Sequence, residues 1–185
     1  GSKVRYYYGK SNDFYVQFLG PSMTYTCAVF DSPDTSLEAA QKAKLDLVLD
    51  KLALKPGDRL LDIGCGWGSM VIEAAKRGIH TLGGTLPEEQ VEWGQRWICQ
   101  EGLQDLAEVR LMDYRDVPEG DFDGICSLGM MEHVGYKHYP AYFQEIYNKL
   151  KPGAMLLNHQ ITRCNSHQGK KAGEFIDRYI FPDGE

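Results

Sequence analysis

Positive charge is in short supply. The 185 residues hold 20 Lys and Arg against 26 Asp and Glu, a formal net charge of −6. A chain of that sign is a poor match for a polyanion, which excludes general nucleic-acid binding. The small basic groups Lys3, Arg5, Lys10 and Lys170, Lys171 read as solvated surface, with lipid phosphate as the other partner open to them. The five cysteines, Cys27, Cys65, Cys99, Cys126 and Cys164, are odd in number and form no Cys-x-x-Cys pair. That pattern fits a reducing cytoplasm and argues against structural zinc. No apolar run approaches a membrane span and no signal peptide is visible. Repeats and low-complexity segments are missing too. What remains is a soluble, cytoplasmic, globular chain of one domain, with a hydrophobic content of 43% and enough length for a real core.

The most informative stretch runs Leu60-Leu61-Asp62-Ile63-Gly64-Cys65-Gly66-Trp67-Gly68-Ser69-Met70. A short apolar run ends in a glycine-rich turn, and a helical pattern follows. Glycines in such a strand–turn–helix let the backbone approach a ligand, and the helix N-terminus leaves amides free. The spacing is Gly-x-Gly-x-Gly, not the Gly-x-Gly-x-x-Gly of dinucleotide sites. The lysine and the Ser/Thr of a phosphate-binding loop are also lacking. With Asp62 two residues ahead of Gly64, the pattern resembles motif I of the class I S-adenosylmethionine (SAM) methyltransferases; an ordinary tight βα turn is the plainer reading.

Around this turn, strands and helices alternate. Residues 6–30 are rich in aromatics and turn formers, with a short helix expected over 13–18, and read as core or lid. Thr35-Ser36-Leu37-Glu38 has the form of a capping box. It opens a helix over 34–54 whose Leu45, Val48, Leu49 and Leu52 share a face and which Pro56-Gly57 ends. Strands are expected at 59–63, 79–83, 108–112, 124–128 and 155–161, and helices at 69–77, 88–100 and 139–150. Repeated βα units imply an α/β fold, Rossmann-like, with a parallel sheet and helices on both faces. Right-handed crossovers then gather every strand's carboxyl end on one rim, where such sheets bind ligands. Residues 1–34 read as an aromatic-rich lid and 35–185 as the partial Rossmann-like core. The antiparallel hairpin that normally closes such a sheet is absent from this sequence. A C-terminal truncation is therefore expected, because an uncovered fifth strand would be an open edge.

If SAM sits on the turn, its methionine end lies over Gly64, Cys65 and Gly66. Its ribose meets the end of the second strand, where Thr85 and Gln90 are polar and Glu88 is a weaker candidate. Helix capping by Thr85, with Gln90 exposed, is the alternative. Asp113-Tyr114-Arg115 follows the third strand and suits an adenine, or else is a solvated turn. The fourth strand ends in Met131-Glu132-His133-Val134-Gly135. A carboxylate at that rim is costly unless bonded, which marks Glu132 as functional; His133 reads as its structural neighbour.

Six stretches occur in an order that resembles the cyclopropane-fatty-acyl-phospholipid synthases and mycolic acid cyclopropane synthases. They are Tyr8-Gly9-Lys10-Ser11-Asn12-Asp13-Phe14-Tyr15, Ser22-Met23-Thr24-Tyr25-Thr26-Cys27, the motif I turn, Gly84-Thr85-Leu86 with Glu89-Gln90, Asp113-Tyr114-Arg115-Asp116, and Met131-Glu132-His133-Val134-Gly135. The resemblance implies transfer of the SAM methyl group to the cis double bond of an unsaturated phospholipid acyl chain at the membrane surface. The resulting carbocation loses a proton to bound bicarbonate and closes to a cyclopropane. It also implies that Cys27, Glu132, His159 and Ile161 hold that bicarbonate. Tyr25, Thr26, Asp62, Gly64, Cys65, Gly66, Thr85, Leu86, Gln90, Asp113, Tyr114 and Arg115 would surround SAM. Phe14, Tyr15 and Tyr136 could line the pocket of a cation. From the residues alone, Cys27 could be a buried small hydrophobe and His159 a core histidine; no metal site is expected. The family's later tyrosine and most of its helical insert over the acyl pocket are not in this sequence. A methyl- or methylene-branching enzyme, a SAM-binding module without turnover, and an O- or N-methyltransferase stay open as alternatives.

Overall fold

The computed structural model describes residues 12–162. The basic groups at 3–10 and 170–171, Cys164, and the insert expected around 173–181 lie outside the described residues. In chain order the elements are α1 (Asn12–Leu19), α2 (Leu37–Leu52), β1 (Arg59–Ile63), α3 (Ser69–Lys76), β2 (His80–Thr85), α4 (Glu88–Glu101), β3 (Ala107–Leu111), β4 (Phe122–Leu128), α5 (Tyr139–Lys149) and β5 (Leu150–His159).

Strand β1 is almost wholly buried, as a strand covered on both faces must be. It pairs in parallel with β2 on one side and β4 on the other. The five strands run in the order β3-β2-β1-β4-β5, every pair parallel. Side chains alternate between two cores. Leu60 and Cys126 pack with Leu45, Val48, Leu49 and Leu52 of α2 and with Met70 and Ala74 of α3. Leu61, Ile63 and Ile125 face the other way, against Tyr142 and Ile146 of α5. A third cluster seats α3 and α4 over Val109 of β3. The expected parallel sheet with helices on both faces is what the chain forms.

Several boundaries depart from the sequence expectation, and the following bear on the sheet and its helices. Ser36, not Thr35, caps α2: its side chain accepts from Ala39 N, while Thr35 Oγ1 accepts from Ser32 N. The residue at the third helical position is thus Ala39, and no capping box forms. Strand β2 runs on through Gly83, Gly84 and Thr85. A Cβ at Gly83 would lie 2.7 Å from Val71 Cγ2 and 2.8 Å from Cys65 Cβ. That glycine serves close packing and does not end the strand. Strand β3 sits one residue earlier than expected, at Ala107–Leu111. Strand β5 begins at Leu150, five residues before the expected start, because the pairing with β4 shifts register between Phe122↔Leu150 and Gly124↔Met155. The irregularity admits Lys151-Pro152-Gly153, which alone reads as a turn.

Helix α1 docks through Tyr15 and Leu19, which pack with Met23 and Trp67. Trp67 Nε1 donates to Asn12 Oδ1 at 2.8 Å, and Asn12 Nδ2 donates to Glu89 O at 3.1 Å. One asparagine thereby ties α1 both to the glycine turn and to the start of α4.

Candidate functional site

The strand order reverses between β1 and β4, so connections leave that junction in opposite directions and a crevice opens at the carboxyl ends. A cavity of about 670 Å³ fills it. Every residue expected around the cofactor lies on its wall: Tyr25 and Thr26; Asp62, Gly64, Cys65 and Gly66; Thr85, Leu86 and Gln90; Asp113, Tyr114 and Arg115.

The floor is the glycine turn. Gly64, Gly66 and Gly68 have φ of +73°, +55° and +97°, a region that side chains strain to enter. A Cβ on Gly64 would also stand 3.0 Å from Met130 Cγ. Gly64 N and Cys65 N both donate to Gly84 O, at 3.0 and 3.1 Å, which ties the turn to β2. Gly68 caps α3 with no side chain, so the first amides of that helix are free to meet a ligand. Asp62 is the penultimate residue of β1, 2% exposed, and accepts from Cys126 Sγ at 3.4 Å. Burial pushes its carboxyl up to about 6, against the opposing pull of the Cys126 hydrogen bond and the charge of Lys44.

The far wall is polar but self-bonded. Thr85 Oγ1 donates to Gln90 Oε1 at 2.6 Å, and both residues are buried. Gln90 is therefore not exposed, and Thr85 does not cap α4, whose N-cap is Pro87 without a side-chain bond. Asp113 caps a short 3₁₀ turn and accepts from Arg115 N, Nε and Nη2 at 3.0, 2.8 and 2.8 Å. The Arg115 hydrogen bonds hold the Asp113 carboxyl below its usual range although burial acts the other way. Tyr114 packs edge-on against Tyr142, with ring centroids 5.2 Å apart.

The four residues expected at the bicarbonate do not line the cavity; three of them meet beside it. Glu132 Oε1 accepts from Ile161 N at 2.7 Å, and Gly129 N donates to His159 O at 2.9 Å. These bonds fasten the end of β5 to the turn after β4. Glu132 Oε2 and His159 Nδ1 are both buried and have no hydrogen-bond partner among the described residues. Two such atoms, on segments that these bonds join, call for a ligand or a chemical role. Cys27 is exposed, not a buried hydrophobe. It is carried by the strap that lines the cavity with Tyr25 and Thr26. Thr26 closes against the rim: a Cβ on Gly129 would lie 2.8 Å from Thr26 Cγ2. His133 stands on the cavity wall itself.

Sequence reasoning passed over Lys44 and Gln41, which are buried on α2, and Lys44 lines the cavity. The signal was there: both fall at helical spacing on the apolar face with Leu45, Val48 and Leu52. The donor set fits a cofactor with a nucleoside and an amino-acid end, since it joins close-approach glycines, free amides and a buried carboxylate on one wall. Among the described residues no group of three His, Cys, Asp or Glu side chains could hold a metal ion, and no helix is long and apolar enough to cross a membrane.

A family model described as mycolic acid cyclopropane synthetase matches residues 1–185. A probable fatty acid methyltransferase of Mycobacterium tuberculosis is 55% identical over 182 residues, covering 98% of this chain and 43% of that protein. The cyclopropane-fatty-acyl-phospholipid synthase of Escherichia coli is 41% identical over 179 residues, covering 96% of this chain and 45% of that one. This chain thus spans less than half the length of either relative. The crystal structure of mycolic acid cyclopropane synthase CmaA1, complexed with SAH and CTAB, superposes with a TM-score of 0.90 at 34% identity, over 100% of this chain and 68% of that one. The sheet and its helices are those of the class I SAM methyltransferases.

Proposed function

The chain belongs to the mycolic acid cyclopropane synthetase family, and from that premise we propose that it is part of a SAM-dependent enzyme that methylates the double bond of unsaturated phospholipid acyl chains and closes a cyclopropane. The cofactor supplies an electrophilic methyl group. An alkene is itself the nucleophile, so the protein needs no base to activate it. A ring does require that one proton leave the added methyl group, and that base must stand in a dry site. The carrying observation is the rim at the end of β4. There the buried Glu132 Oε2 and His159 Nδ1 have no partner among the described residues, next to a cavity floored by motif I.

In this reading Glu132, His159, the strap residue Cys27 and the Ile161 segment hold a bicarbonate ion, which would supply the base. Asp62 and the glycine turn hold the amino-acid end of the cofactor, Thr85 and Gln90 its ribose, and Asp113, Tyr114 and Arg115 its adenine. The substrate brings the protein to the membrane surface from the cytoplasm. A branched product, methyl or methylene, has one specific support: the 55% identical relative carries the name of a probable fatty acid methyltransferase.

The test is a reaction of the full-length protein with trideuteromethyl SAM and vesicles of a cis-monounsaturated phospholipid. A cyclopropane product keeps two of the three deuterons and shows ring protons at high field; a methylene branch also keeps two but retains an sp² carbon pair, and a methyl branch, which needs an added hydride donor, shows neither ring nor double bond. Glu132→Gln should lower turnover about 10²-fold or more with S-adenosylhomocysteine (SAH) affinity unchanged. Label that never reaches the acyl chain would end the lipid reading.

A further inference from the structure

Helix α2 aims two polar side chains into the molecule. Gln41 and Lys44 are 3% and 5% exposed, and both reach the strap that carries Tyr25, Thr26 and Cys27. Gln41 Nε2 donates to Thr24 O at 3.3 Å and to Thr26 O at 2.8 Å. Lys44 Nζ donates to Thr26 Oγ1 at 2.6 Å. Gln41 therefore fixes the strap's backbone, while Lys44 addresses its hydroxyl.

Lys44 is out of electrical balance. Among the described residues no carboxylate oxygen stands within 4.0 Å of its nitrogen. The titratable groups that face it are Asp62 from β1, Cys126 from β4 and Cys27 from the strap. Burial lowers its ammonium to about 8, with the charge of Asp62 acting the other way. A buried ammonium is costly without an anion, and among the described residues only one of its three N–H groups is used.

The bond to Thr26 has a further consequence. A hydroxyl that accepts from Lys44 keeps its own hydrogen for another acceptor. Two donors, one of them charged, then converge on one corner of the cavity, with the Asp62 carboxylate on the same wall. Neighbouring positive and negative groups match the two ends of an α-amino acid zwitterion. The other end of the cavity, at Asp113 and Tyr114 beyond β3, is two strand spacings away, roughly 10 Å. That distance leaves the nucleoside its own place.

We infer that Lys44, together with the hydroxyl of Thr26 that it orients, receives the α-carboxylate of the cofactor's amino-acid end and so selects for an intact methionine or homocysteine tail. The inference rests on the reading of this cavity as the SAM site, and it makes Lys44 a recognition and positioning residue on a helix outside motif I.

The experiment is calorimetric titration of the full-length protein with two ligands, SAH and 5′-methylthioadenosine, which lacks the amino acid. Lys44→Met should weaken SAH at least tenfold at neutral pH and leave methylthioadenosine within twofold. Thr26→Val should show the same split to a smaller degree, and it carries the test alone if Lys44→Met does not fold. In the double variant the two losses should fall short of additive. Equal weakening of both ligands would mean a merely structural lysine and overturns the inference. So does unchanged SAH affinity in Lys44→Met. If the unsubstituted protein binds neither ligand, the SAM reading itself fails, and the inference falls with it.

Discussion

At the scale of the single residue, Asp62 carries a conflict between stability and binding. Its carboxyl is fully enclosed and titrates near 6 instead of 3.8 because burial disfavours its charge. A carboxyl raised in the folded state binds its proton more readily folded than unfolded, so its contribution to stability falls as pH rises from about 4 to about 6. Asp62→Asn removes that liability and keeps an oxygen for the Cys126 thiol. The variant should unfold at a higher temperature than the parent at pH 7, with a flatter stability profile between pH 4 and 6. It should lose about tenfold or more in SAH affinity, the scale of a hydrogen bond to a charged group. Melting curves at three pH values and one titration check both halves. A variant that melts lower at pH 7 would show that the carboxylate is structural. Lys44 is the companion case, a charge placed for a ligand rather than for the fold. Its place was hidden in the sequence because lysines on helices are usually solvated. Only the apolar company of Leu45 and Val48 marked it.

At the scale of the element, the contact of β2 with α3 governs the cavity floor. Gly83 leaves room for Val71 and for Cys65, which begins the turn. Gly83→Ala forces both aside and should cost about 1–3 kcal/mol by overpacking. SAH affinity should fall as well, since Cys65 cannot yield without moving its neighbours Gly64 and Gly66. Urea unfolding and titration of the same variant would separate the two losses. The elements also show what a sequence can reveal. Strand β1 and the start of α3 are legible to the residue, because an apolar run followed by glycines has few other solutions. The start of β5 is not: Lys151-Pro152-Gly153 obeys the rules for a turn, and only the register shift against β4 admits it to the sheet. The cavity wall was legible through motif I and the family resemblance. The self-bonding of Thr85 with Gln90, and of Asp113 with Arg115, was not, because local spacing cannot tell a ligand contact from a mutual one.

At the scale of the whole molecule, the cavity draws its wall from the strap, from α2 and from the ends of β1, β2, β3 and β4. A ligand seated there must stabilise all of them together. SAH at a hundredfold over its dissociation constant should add about 2.7 kcal/mol to unfolding, read as a rise in melting temperature that grows with ligand concentration. Gly66→Val, which sets a β-branched residue at φ +55°, should abolish the rise. A rise that persists in the folded variant would place the ligand elsewhere. The same distribution of walls sets an order in time. Every residue of the cavity lies between Met23 and Ala141, whereas His159 comes at the end of β5. A ribosome delivering about 5–20 residues per second completes the residues of the cavity roughly one to four seconds before the histidine. In the proposed reading, a nascent chain therefore carries every contact for a methyl donor before the histidine of the rim has been made.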